Sequence, residues 1–268
     1  MKKSIILTAA AALMMTACDV IEPNDRLTPT DEYPQSNRVV LVEEYTGHMC
    51  PNCPTGAEVV KSMVELSGHK VIPVSVHCGN FAIVAPAFPQ DFNTEAGKEY
   101  FDTYKPEAFP SIQINRSGQI NENYDTWISA LIEQAWQQSP AEISISRNYN
   151  ATTREVEIET NVTALQDIDG DVSLQLWMLE SGIIGRQITP QGIKDDYEHN
   201  HVLRDAINGI WGESIGTFES GEEKTIKHTY KLAGDDWVAD NCTIVAFIFD
   251  SATKGNVIQA AEIELTNK

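Results

Sequence analysis

Val42-Glu-Glu-Tyr-Thr-Gly-His-Met-Cys50-Pro-Asn-Cys53-Pro54 is the stretch from which the rest of the chain is read. It ends a short, apolar, β-branched run from Arg38 to Tyr45, the pattern of a buried strand. From about Asn52 to Ser67 the apolar residues Ala57, Val60, Met63 and Val64 recur at helical spacing, and Gly68 is a stop signal. Two cysteines three residues apart therefore stand where a strand hands over to a helix. The thiolate, not the thiol, attacks a disulfide, and a helix N-terminus favours an anion through its unpaired N–H groups. Cys50 is the expected nucleophile and Cys53, one turn on, the resolving thiol. Pro51 suits the first helical turn because it has no N–H to satisfy. His48 either stabilises the Cys50 thiolate or is an exposed loop histidine.

Downstream, Val71 to His77 reads as a second buried strand. Ala96, Tyr100, Phe101 and Tyr104 share one face of a short helix. Phe109-Pro110 leads into a strand, Ser111 to Asn115, that turns at Ser117-Gly118. Within Asp125 to Gln138, Ile128, Leu131, Ile132, Ala135 and Trp136 follow an amphipathic helical pattern. The order strand, CxxC, helix, strand, helix, Pro-strand, strand, helix is thioredoxin-like. Pro110 occupies the place of the cis-proline in such proteins, whose loop lies against the active sulfurs and pairs with a bound substrate chain. Phe109 would then stand beside the substrate.

Other readings of the cysteine pair stay open. A zinc site needs two more ligands. His77 and Cys78 are near in sequence, but neighbours on a strand point to opposite faces. A permanently oxidised structural disulfide fits an oxidising compartment. Cys78, after the second strand, is a possible third redox thiol, a partner for Cys242, or a small buried residue. Cys242 opens an apolar run to Phe249 and is expected buried and free.

After Ser139-Pro140 the period becomes two. Ile143 and Ile145, then Val156, Ile158 and Val162, then Leu174, Leu176 and Met178, then Ile263 and Leu265 alternate with mostly polar neighbours. Turn signals at Asp169-Gly170, Gly221 and Lys254-Gly255 separate the runs. The expectation is an antiparallel β-sandwich of about seven or eight strands. Asp167-Ile-Asp-Gly-Asp171 looks like half a calcium loop but lacks a closing glutamate, so a hairpin turn is the better reading. His199 and His201 share a face if they lie on a strand. A metal or binding role is one reading of them and a polar loop-to-strand face the other. No Ser-His-Asp order, Walker loop or HExxH motif occurs.

The first residues read as an address. Lys2 and Lys3 precede an apolar stretch from Ile5 to Met15, too short for a permanent span, that ends in Met-Thr-Ala-Cys18. Small residues before a cysteine at this distance resemble a lipobox, so Cys18 is the expected lipidation site; an ordinary cleaved signal is the alternative. Residues 1–17 are the expected signal peptide and 18–37, polar with three prolines, a tether. Cleavage leaves 17 basic against 39 acidic residues, so the net charge moves from −20 to −22. That acidity argues against a nucleic-acid partner and against electrostatic docking on anionic lipid.

Taken together, the Val42–His48 run, Cys50-Pro-Asn-Cys53, Val74-Ser-Val-His-Cys-Gly-Asn-Phe-Ala82, Phe109-Pro-Ser111, His199-Asn-His-Val-Leu-Arg204 and Val257-Ile-Gln-Ala-Ala-Glu262 resemble the exported outer membrane protein 28-related lipoproteins. Cys78 is a departure, a small residue being expected there. The resemblance implies an α/β thioredoxin-like domain over residues 38–139 and an immunoglobulin-like β-sandwich over 140–268. The expected function is thiol–disulfide exchange at the cell envelope, with the outer membrane as the expected location, without cofactor or metal. The partners would be envelope protein thiols and disulfides or an upstream redox protein. The alternative is a non-enzymatic binding or adhesion lipoprotein.

Overall fold

The computed structural model describes residues 36–68 and 70–267. The signal, Cys18 and nearly all of the tether lie outside them. The first strand, β1 (Val40–Thr46), is buried along its whole length, as its apolar run predicts. It is followed by α1 (Cys53–Leu66), β2 (Val71–His77), α2 (Glu95–Tyr104), β3 (Ser111–Ile114) and α3 (Tyr124–Ala135). β2 runs parallel to β1, and β3 antiparallel to it on the other side. The further strand expected after the turn at Ser117-Gly118 is reduced to an isolated bridge between Ile112 and Asn121. One face of these strands packs on α1 and α3 through Val40, Val42, Val60, Met63, Ile112, Trp127 and Leu131.

The remaining chain is strands: β4 (Ala141–Asn150), β5 (Glu155–Ala164), β6 (Ile168–Glu180), β7 (Ile183–Thr189), β8 (Gly192–His199), β9 (Val202–Ala206), β10 (Glu213–Phe218), β11 (Glu223–Lys231), β12 (Cys242–Asp250) and β13 (Gly255–Glu264). β11, β5 and β4 make a three-stranded sheet, and β7 with β8 a separate hairpin. The Asp167–Asp171 run enters β6 rather than forming the hairpin turn expected of it, and Asp171 accepts a hydrogen bond from Ser214 Oγ.

The expected fold class, an α/β thioredoxin-like domain followed by a separate immunoglobulin-like sandwich, is corrected by the pairing. β9 joins β6 on one edge and β2 on the other. One sheet then runs β13-β12-β6-β9-β2-β1-β3, with β10 also on β6. The two halves thus contribute strands to the same sheet, in a structure built mostly of β-strands. The core follows: Leu41, Tyr45, Ile72 and Tyr100 pack with Trp177, Leu203, Phe247 and Phe249 in one apolar cluster. Periodicity identified strands but carries no information on which edges meet, and here the free edge of β2 is covered.

A buried ion pair sits in that cluster. The Arg116 guanidinium donates Nε to Glu43 Oε2 at 2.8 Å and Nη2 to Oε1 at 2.9 Å, with neither side chain exposed. Six rings surround its Cζ, from Tyr100 at 4.9 Å to Trp211 at 5.5 Å. Burial disfavours the charge, but the Glu43 carboxylate outweighs it and holds Arg116 above the usual range.

Candidate functional site at the cysteine pair

Cys50 and Cys53 form a disulfide at the start of α1, with Cα atoms 5.5 Å apart. Asn52 is the N-cap, and a proline in the first turn leaves no N–H unsatisfied there; that proline is Pro54, while Pro51 precedes the helix. The Cys53 amide donates to Cys50 Sγ at 3.2 Å. The same sulfur lies 3.6 Å from the carbonyl oxygen of Phe109, and the Phe109–Pro110 peptide is cis. Pro110 and Gly56 are in close approach: a Cβ at Gly56 would stand 2.5 Å from Pro110 Cγ. The structure therefore brings Cys50, Cys53, Phe109 and Pro110 together.

His48 sits elsewhere than the sequence suggested. It is buried, its Nε2 lies 3.1 Å from the Ile83 carbonyl, and its ring stacks on Phe88. Burial lowers its pKa, so it is neutral at pH 7 and brings no positive charge to Cys50. It belongs to a cluster with His77, Phe92 and His199. His199 ends β8 and is buried, and burial pushes its pKa down to about 4. Among the described residues no group of His, Cys, Asp and Glu is arranged to hold a metal ion.

Cys78 and Cys242 are free and buried, and do not pair. Burial pushes each thiol up to about 12, so neither forms a nucleophilic thiolate at neutral pH.

Glu44 was missed at the sequence level. Strand alternation sends Glu43 to Arg116 and Glu44 to the opposite face, beneath α1. Its Oε1 has no hydrogen-bond partner and would stand 2.9 Å from a Cβ at Gly56. Burial pushes this carboxyl up to about 8, so it carries its proton at pH 7. Glu44 and Cys53 line the same cavity, of about 610 Å³, with His77, Gln187, Tyr197 and His199. Two glutamates in an otherwise apolar strand were the available signal, since an acid is rarely buried without a reason.

The comparisons bear on family and fold. The family model Outer membrane protein Omp28 matches residues 97–268, more than half of the chain and downstream of Cys50 and Cys53. No curated protein matches. Among solved structures, HBP35 of Porphyromonas gingivalis is similar over 86% of this chain and 76% of its own, at 19% identity and a TM-score of 0.67. A protein from Agrobacterium tumefaciens is similar over 87% of this chain and 97% of its own, at 12% identity and a TM-score of 0.53. At these identities the likeness is one of fold. Among the described residues no helix is long and apolar enough to cross a membrane.

Proposed function

The chain belongs to the Outer membrane protein Omp28 family, an envelope family by its name, and from that premise we propose that it exchanges thiols and disulfides with other envelope proteins through Cys50 and Cys53. Acyl chains on Cys18 hold it at the membrane in this reading. The observation that carries the exchange is the pairing of a disulfide at a helix N-terminus with a buried, protonated acid in the same cavity.

In one direction, a partner thiolate attacks Cys50 Sγ. A mixed disulfide forms, the Cys50–Cys53 bond breaks, and Cys53 leaves as a thiolate. Glu44 supplies the proton that Cys53 takes up and regains one from solvent, into which the attacking partner thiol has released its own. A second partner thiolate then attacks the partner's sulfur in the mixed disulfide and releases Cys50. The Cys53 N–H and the end of α1 stabilise the departing thiolate until it too is protonated from solvent. The partner dithiol has become a disulfide, and two electrons and two protons have arrived on Cys50 and Cys53. The reverse sequence oxidises the pair.

A second reading is favoured by burial: Cys50 is 1% and Cys53 2% exposed. It is a binding or adhesion lipoprotein in which the disulfide is structural. Trapping separates the two. A Cys53→Ser chain expressed in its own envelope retains mixed disulfides on Cys50 if the exchange reading holds. The Cys50→Ser/Cys53→Ser chain is the blank. An empty trap, with no thiol exchange above that of a free thiol, leaves the structural reading standing.

A further inference from the structure

We infer that Gln187, on the β7–β8 hairpin, is a positioning residue for Cys50: its carboxamide holds the loop that carries the sulfur over the N-terminus of α1. This rests on the exchange reading above. Gln187 is buried, and its Nε2 donates to the Cys50 carbonyl at 2.9 Å, with the Gly47 carbonyl at 3.4 Å and that of Ile188 at 2.8 Å. Ile188 N donates to the His48 carbonyl at 2.9 Å. β7 thus takes the carbonyls of residues 47, 48 and 50.

The rest of the loop is held from other sides. Met49 N donates to the Phe81 carbonyl at 2.9 Å, and Cys50 N to the Gly47 carbonyl at 3.0 Å. Gly47 is required there, since a Cβ would stand 2.5 Å from the Phe81 oxygen. Gln187 is the one side chain in this set, so it can be changed without touching the backbone of the loop.

The carboxamide acts on Cys50 in two ways. It fixes the Cys50 peptide, which keeps Sγ in line with the Cys53 N–H that would stabilise a thiolate. It also offsets the negative ends of the Gly47 and Cys50 carbonyl dipoles in the loop that carries the sulfur. The hairpin lies in neither of the larger sheets, so its contacts with this loop give it a role that sheet pairing does not.

The test uses the full chain, reduced, with the rate of alkylation at Cys50 followed against pH. Gln187→Met keeps the volume and removes both N–H donors. The expected result is a Cys50 thiol pKa raised by about one unit, with the thiolate fraction at neutral pH lowered roughly five- to tenfold. Gln187→Asn, which keeps a neutral carboxamide donor and adds no charge, brings the titration part of the way back towards wild type; loss of packing alone would not produce that recovery in the shorter side chain. If Gln187→Met does not fold, Gln187→Leu, which also removes the donors and adds no charge, takes its place, and the same upward shift is expected. An unchanged, depressed titration in a folded variant overturns the positioning role alone. A wild-type Cys50 that titrates like a free thiol overturns the exchange reading and this inference with it.

Discussion

Glu43 and Glu44 are adjacent on β1, yet one is locked in a two-point ion pair with Arg116 and the other is an unpaired, protonated acid in the cavity that Cys53 lines. The period of two along a strand produces the difference, because the faces look into opposite environments. Glu43 meets a cation caged by aromatic rings; Glu44 meets the underside of α1.

The pH dependence of stability should carry the mark of Glu44. Its folded pKa, about 8, lies above the unfolded value near 4.5. A raised acid stabilises fully below the unfolded pKa, and that stability is lost as pH rises through the folded one. At about 1.4 kcal/mol per unit, a few kcal/mol should disappear between pH ~4.5 and ~8. Glu44→Gln keeps a neutral group of the same size, and its urea midpoints across that range should be flatter than wild type. Equal slopes would mean that Glu44 is already ionised.

His199 works in the opposite sense. Burial is the main cause of its lowered pKa, about 4, with neighbouring His48 second. A depressed base stabilises above the unfolded value, about 6.5, and loses that contribution as pH falls through the folded one. His199→Phe keeps a ring against Phe92 and His77 and removes the titration. Its acid unfolding should begin at a lower pH than that of wild type, followed by tryptophan fluorescence.

For the pair on the other face, removing one partner should cost more than removing both. Arg116→Met strands the Glu43 carboxylate in an apolar cluster, a loss of about 3–5 kcal/mol. Arg116→Met with Glu43→Gln should recover a large part of it. Denaturant titration of the two variants decides the point, and equal losses would show that Arg116 acts through packing rather than charge.

The placement of the cysteine pair and of Pro110 was more legible in the sequence than the architecture. Cys50, Cys53 and the cis bond at Phe109–Pro110 could be placed because a local pattern, strand then CxxC then helix, identifies them. His48 could not: nothing in Thr46-Gly-His48 tells that its ring turns to Phe88 and away from solvent. The continuous sheet depends on β9 meeting β2 at Ser75 and Val202, a pairing between segments far apart in sequence. Gln187 reaches Cys50 across 137 residues and belongs to no motif. Such contacts arise from tertiary geometry, which periodicity does not encode.

Gly56 offers a test of how tightly the site is assembled. It lies within α1 and is buried, where alanine would ordinarily gain about 1 kcal/mol in helix propensity. At this position the added methyl would stand 2.5 Å from Pro110 Cγ and 2.9 Å from Glu44 Oε1. The proline ring is held by its own backbone and cannot swing aside as a flexible side chain would. Overpacking of this kind costs about 1–3 kcal/mol, so it should exceed the propensity gain. Gly56→Ala is therefore expected to be less stable than wild type by calorimetry, although it improves the helix. Because the methyl presses on Pro110 and Glu44 together, the alkylation profile of reduced Cys50 should change in the same variant. A more stable protein with an unchanged profile would show that α1 can move away from Pro110 and Glu44 at little cost.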